Sequence, residues 1–467
     1  MNKPENKPDT LCLAPWTHTY LSPQSERRLC CASREPAQNF KQYIDTSGAD
    51  GIYNPLTLDE WWNSEHVKTV RKKMMNNEIP EECRVCNHKL LNTDIYRSYF
   101  WHLFQHKYED IWDTTDETGY TTMKPVSWDY RFSNLCNFKC RMCGDMLSSS
   151  WESEERKYDM INRFDSSKKW MNPENRIKIS EFQEAVVRKE FQEAVDEHRV
   201  EEIYWVGGEP LMMKEHWDFM KQIIDQGDGG NVYARYNTNL SQISYKGINL
   251  YHDILPNIKD WQICASIDGT GKIGEYIRTG LKYNDWLTNF KEGINIQTNE
   301  RQMRLDFTLT LPGLFEVENI IDLSNELGVG LLSKVVFSFT PDITMSPLCL
   351  PKEILHPFVN DIIDRIKPKT NNSNKSMIDI LENLLKRPTF EEEYHDDYID
   401  GIRRGKARIL KLEEIRDNPT TMGKILKNNH GMYAWWNNIQ GFLKKVKGKV
   451  IHSLALEQNP CLGCSAS

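Results

Sequence analysis

Three cysteines constrain this chain more than any other feature. In Cys136-Asn137-Phe138-Lys139-Cys140-Arg141-Met142-Cys143 they are spaced x3 and then x2. That is compact enough for three thiolates to reach one metal site. A [4Fe-4S] cluster usually takes four cysteines, so three leave one iron without a protein ligand. An open coordination position separates a catalytic metal site from a structural one, as zinc sites show. The preceding Val126-Ser127-Trp128-Asp129-Tyr130-Arg131-Phe132 reads as a short strand. It puts the cysteines on the loop at its C-terminal end, where barrel enzymes build their active sites. Taken alone, the spacing leaves a zinc knuckle with a missing fourth ligand equally open.

Further on, the apolar Glu202-Ile203-Tyr204-Trp205-Val206 runs into Gly207-Gly208-Glu209-Pro210. Cys-x3-Cys-x2-Cys followed by a strand-terminal Gly-Gly-Glu-Pro resembles the radical S-adenosylmethionine (SAM) superfamily. The resemblance implies a [4Fe-4S] cluster on Cys136, Cys140 and Cys143, with SAM chelated at the open iron. It also implies that Gly207, Gly208, Glu209 and Pro210 hold the SAM amino group. Glycines permit close backbone approach, and a carboxylate suits an ammonium. Ser266 and Asp268 end a later strand at the depth of the SAM ribose or carboxylate, and Asn237 and Asn239 end another. Each of these could instead cap a helix or make a turn. Arg278 could pair with the SAM carboxylate or form a surface salt bridge. The family's aromatic residue before the third cysteine is absent. Met142 stands there, which fills the space but stacks less well.

Composition narrows the setting. A chain of 467 residues is too long for one ordinary domain. Net charge is −8 and pI about 5.9, which gives no global electrostatic case for nucleic acid or membrane. No run approaches a membrane-spanning length, and the N-terminus has no apolar signal core. A cytoplasmic location follows as the expectation.

The 12 cysteines fall mostly in clusters, which in a reducing compartment read as metal sites. The stretch from Thr17 to Leu21 alternates as a strand, and Arg27 to Cys31 would be its hairpin partner. Such a hairpin could bring Cys12 and Cys30, or Cys31, together. Ile79-Pro80-Glu81-Glu82-Cys83-Arg84-Val85-Cys86 adds a Cys-x2-Cys. This arrangement resembles the Twitch or SPASM auxiliary-cluster module of radical SAM enzymes. It implies a second [4Fe-4S] cluster on Cys12, Cys30, Cys83 and Cys86, while a structural zinc site uses the same four thiolates. Two features depart from the module. It precedes the cysteine loop, and Ser25 and Glu26 replace its turn glycine.

Residues 57–76 carry apolar side chains at helical spacing, and 93–113 form an aromatic helix. Within 146–199 the sequence Glu181-Phe182-Gln183-Glu184-Ala185-Val186 recurs as Glu190-Phe191-Gln192-Glu193-Ala194-Val195. A nine-residue shift turns an ideal helix by about 180°, so Phe182 and Phe191 cannot share a face unless the helix breaks. Strands near 231–239, 258–268, 303–311 and 335–339 alternate with helices, which predicts a parallel sheet.

The expected fold is α/β. It comprises an auxiliary-cluster domain over 1–92, an aromatic bridge over 93–123, a partial (β/α)6 barrel over 124–345 with an insertion at 146–199, and a helical region over 346–467. The barrel is what the resemblance implies. That last region carries Trp435-Trp436, a basic run at 444–449, and Cys461 and Cys464. By the resemblance, the chain is a SAM-cleaving enzyme served by a reductant such as flavodoxin or ferredoxin. Family members with such modules often modify peptides or proteins, so a peptide or protein is the favoured substrate. RNA, a sugar or a small metabolite is the alternative. A non-catalytic Fe–S or zinc scaffold is the reading from a different class.

Overall fold

The computed structural model describes residues 4, 6–33, 43–44, 52–87, 95–160, 170–337 and 343–438. Thr340 to Asp342, the basic run, Cys461 and Cys464 lie outside these. Two compact units emerge. One comprises residues 1–266 with 279–306, the other 267–278 with 307–467.

The main sheet has eight strands: β1 (His18–Leu21), β2 (Arg27–Arg28), β3 (Ser127–Tyr130), β4 (Glu202–Trp205), β5 (Tyr233–Thr238), β6 (Asp260–Ser266), β7 (Met303–Leu309) and β8 (Gly330–Val335). Their order is β8-β7-β6-β5-β4-β3-β1-β2. The pairings from β1 through β3, β4, β5 and β6 to β7 are parallel, and β2 returns antiparallel on β1. The N-terminal hairpin therefore continues the sheet instead of standing apart as a module. The last strand also lies earlier than the 335–339 expected. Gly328 ends the preceding helix in the left-handed conformation (φ +64°), and the chain turns directly into β8.

Register sorts the side chains of the first unit by face, because strand residues alternate. His18 pairs with Ser127, Ser127 with Glu202, Glu202 with Tyr233 and Tyr233 with Asp260. Along that face follow Tyr20, Asp129, Tyr204, Arg235, Asn237, Gln262, Cys264, Arg304 and Asp306. The other face carries Leu21, Trp128, Tyr130, Ile203, Trp205, Ala234, Tyr236, Ile263 and Leu305, all buried. Phe191 from the helix Arg188–Asp196 and Phe219 from Lys214–Asp225 meet at 4.7 Å, and Phe191 lies 5.2 Å from Trp128. The insertion breaks where its repeat required. A π-turn at Gln183–Val187 separates Phe182, half-buried, from Phe191, fully buried.

The 57–76 segment is two helices, Leu58–Trp62 and Glu65–Met75. Ser64 restarts the second by accepting from the Val67 amide, the cap expected of serine there. The aromatic segment likewise divides into Ile95–Phe104 and Tyr108–Thr114, joined by a 3-10 turn. The second unit is mainly helical beyond β8, including Lys352–Ile366, Ser376–Lys386 and Phe390–Arg416. Trp435 and Trp436 are buried in it. No helix among the described residues is long and apolar enough to cross a membrane.

Candidate functional site

The cysteine loop leaves the C-terminal end of β3, and Gly-Gly-Glu-Pro leaves that of the adjacent parallel strand β4. In open α/β sheets, ligands bind outside the carboxyl ends of the strands. The loop is fixed by the start of the helix Ser149–Lys157. Ser150 Oγ donates to the Cys136 carbonyl at 2.7 Å, Ser148 Oγ to the Phe138 carbonyl at 2.6 Å, and Trp151 Nε1 to the Cys140 carbonyl at 2.8 Å. The Cys143 amide closes a turn onto the Cys140 carbonyl. Cys140 is buried, while Cys136 and Cys143 are half-buried. The Phe138 amide donates to Cys136 Sγ at 3.4 Å.

Gly207 has φ +124°, and a Cβ on Gly208 would sit 2.2 Å from the Leu135 carbonyl oxygen. The Glu209 amide donates to that oxygen at 2.6 Å. Turn and loop thus touch backbone to backbone, which only glycine permits. Pro210 is buried and opens a 3-10 turn. The Glu209 side chain is fully buried. It accepts from Thr238 Oγ1 at 2.6 Å, from the Asn239 amide at 2.6 Å and from the Leu211 amide at 3.1 Å. It ties β4 to the end of β5, a role the ammonium argument did not foresee. Asn239 carries the tie onward, since its Nδ2 donates to Asn137 Oδ1 at 3.0 Å and reaches Cys136 Sγ at 3.9 Å. Thr238 was missed in the sequence because its partner lies 29 residues away. Gly280 was missed too. With φ +114°, its Cβ would sit 2.7 Å from Phe138 Cδ1.

Asn237 donates to Asp306 Oδ2 at 2.9 Å on the polar face. Ser266 ends β6 on that face, half-buried. Asp268 belongs to the second unit, where it is fully buried and paired with Arg278 at 2.6 Å. It also accepts from the Thr308 amide at 2.9 Å. Asp268 and Arg278 engage each other, so the pair is buried rather than on the surface as the sequence allowed.

The N-terminal cysteines separate into two settings. Cys12, Cys30 and Cys83 pack against an apolar cluster that includes Leu13, Trp16 and Phe100. Burial pushes the Cys12 thiol up to about 12, and Cys86 adds to it. The Cys30 thiol is raised by burial, then by Cys31, Cys83 and Cys12. The Cys12 and Cys30 thiols, held up by burial and by neighbouring thiols, fit a cationic metal core, which would supply the missing positive charge. Cys31 faces elsewhere. Burial raises it to about 11, with Asp129 adding and Arg131, Arg235 and a Tyr96 hydrogen bond opposing. Among the described residues no three His, Cys, Asp or Glu side chains are gathered as a single-ion site. A cubane disperses its thiolate ligands over separate irons, so the compact cysteine loop and the four N-terminal thiols both suit it chemically.

No family model matches the chain, and no curated protein does. Among solved structures, Streptococcus suis SuiB bound to S-adenosylmethionine is similar over 66% of this chain and 69% of that one. Identity is 14% and the TM-score 0.35, too slight a likeness to carry an argument. The functional reading rests on the site.

Proposed function

We propose that the chain is a radical SAM enzyme. The observation that carries this reading is the backbone contact between the three-cysteine loop and the Gly-Gly-Glu-Pro turn, at the carboxyl ends of adjacent parallel strands. Cys136, Cys140 and Cys143 would hold a [4Fe-4S] cluster and leave one iron open to the amino and carboxylate groups of SAM. Gly207 to Pro210 would bring backbone close to the SAM amino group, while Glu209 keeps turn and strand in register. When bound, the cluster would supply the one-electron chemistry for reductive cleavage of SAM and hydrogen abstraction from substrate. Cys12, Cys30, Cys83 and Cys86 would hold a second cluster, and a flavodoxin- or ferredoxin-like carrier would supply electrons. A peptide or protein is the substrate favoured under this reading.

The test is anaerobic reconstitution with iron and sulfide, reduction with dithionite, and measurement of 5′-deoxyadenosine and SAM binding. Wild type should bind SAM and form the product. The Cys136→Ala, Cys140→Ala, Cys143→Ala variant should do neither while keeping the iron of the second site. A wild type that holds iron but neither binds nor cleaves SAM would overturn the reading in favour of a scaffold.

A further inference from the structure

The polar face of the sheet holds two cations that nothing above uses. Arg235 on β5 and Arg304 on β7 lie on the same face, with β6 between them. Arg235 is opposite Gln262, and Arg304 is opposite Cys264 one step further along. Asp129 on that face is paired with Arg131 at 3.0 Å. Glu202 accepts from Ser127 and, at 2.8 Å, from Tyr99. Asp306 accepts from Asn237. Glu202 lies close enough for its charge to act on Arg235, but neither Arg235 nor Arg304 makes a hydrogen bond or salt bridge among the described residues, and the Nε of each is buried without a hydrogen-bond partner.

The bland reading is that Arg235 is satisfied by stacking. Its guanidinium lies 3.7 Å from the Tyr204 ring centroid and 4.4 Å from that of Tyr99. Such stacking is worth up to about 2 kcal/mol when desolvated. It covers the flat faces of the guanidinium and leaves its in-plane donors unused. Those donors form the fork that matches carboxylate and phosphate. Both arginines are half-buried, a setting in which a guanidinium fork gains from a matching anion, and Arg304 has no ring contact among the described residues. Two such forks on one polar face call for an anion.

We propose that Arg235 and Arg304 bind an anionic group of the substrate, a carboxylate or a phosphate. Tyr99 and Tyr204 hold the Arg235 fork flat. Arg235 lies on β5, whose C-terminal end touches the cysteine loop through Asn239. Asn239, which reaches Cys136, is four residues beyond Arg235, about 13 Å at the usual strand rise. This rests on the proposed function only for calling the ligand a substrate. Anion binding itself does not depend on it.

The experiment titrates succinate, inorganic phosphate and neutral succinamide into the full reconstituted chain by calorimetry. Saturable binding of an anion, and none of succinamide, is expected. Preference for succinate assigns a carboxylate, and preference for phosphate a phosphoryl group. Arg235→Gln and Arg304→Gln should each weaken binding at least tenfold, whereas Arg403→Gln, an exposed control, should not. Arg235→Lys keeps the charge but loses the fork and should bind with intermediate affinity; its circular dichroism checks that the face still folds. No saturable anion binding by wild type, or equal binding by wild type and both glutamine variants, would overturn the proposal. 5′-Deoxyadenosine measured on the same preparations separates the two claims. Anion binding without SAM cleavage would leave the anion site standing and remove the radical reading, and cleavage without anion binding would do the reverse.

Discussion

The two faces of the sheet in the first unit are built on opposite rules. One is a closed aromatic and aliphatic layer in which Trp128, Tyr130, Phe191, Trp205 and Phe219 interlock. The other alternates charge and hydroxyl: Asp129 with Arg131, Ser127 with Glu202, Asn237 with Asp306. The same strands supply both, residue by residue. A polar face stacked on strands costs stability unless its groups are satisfied. The second face is thus the one with chemistry to do, and the first is the one that sustains the fold.

The adjacent Cys30 and Cys31 differ in their surroundings, and only Cys31 feels the charges of the polar face. Cys30 is raised by burial and then by Cys31, Cys83 and Cys12, whereas Cys31 is raised by burial and then feels Asp129, Arg131 and Arg235 of the polar face. Cys30→Ala should cost the second metal site outright, a drop of about four irons per chain for a [4Fe-4S] cluster. Cys31→Ala should keep the full metal content. Iron, sulfide and zinc analysis of both variants checks this. Metal loss in Cys31→Ala alone would break the division.

On the apolar face the effect moves to stability. Phe191 is fully buried among five rings, so Phe191→Ala should cost about 3–5 kcal/mol. Phe182→Ala, at the duplicated but half-buried position, should cost about 1 kcal/mol or less. Urea unfolding measures both. Equal costs would mean that the π-turn does not separate the two copies.

Much of this was legible in the sequence, and what was not is mostly non-local. β4 to β7 could be read from apolar alternation, because burial on one face imposes it. The cysteine loop and Gly-Gly-Glu-Pro were visible as local motifs, though the spacing alone left a zinc knuckle open and the reading came from their joint resemblance to a family. The joining of β1 to β3 could not, since pairing between His18 and Ser127 across 109 residues leaves no local pattern. Glu209 was singled out as a ligand, and the tie of its carboxylate to Thr238 and Asn239 was not legible. A buried acceptor and an exposed one look the same in a string of letters. The β8 error was local, because Gly328 signals a helix end whose consequence for the next strand was not followed through.

The smallest effect probes the two faces with one residue type. His18 lies on the polar face, with Nδ1 at 2.7 Å from Ser127 Oγ, and its pKa is lowered to about 3 by burial and then by Arg235 and Arg131. His216 lies on the apolar side, between Trp205 and Tyr236, and is lowered to about 3 by burial alone. Both imidazoles are neutral in the fold and take a proton only on unfolding, so the unfolded chain binds more protons below its pKa of about 6.5. Stability therefore falls as pH drops from about 6.5 towards about 3, and neither histidine contributes a slope above that window. Between pH 7 and pH 5 each should cost about 2 kcal/mol. His216→Gln and His18→Gln should each remove one such share from the pH dependence of urea unfolding. Equal shares would mean that burial sets both. A larger share for His18 at still lower pH would show the charge of Arg235 and Arg131 adding to burial on the polar face.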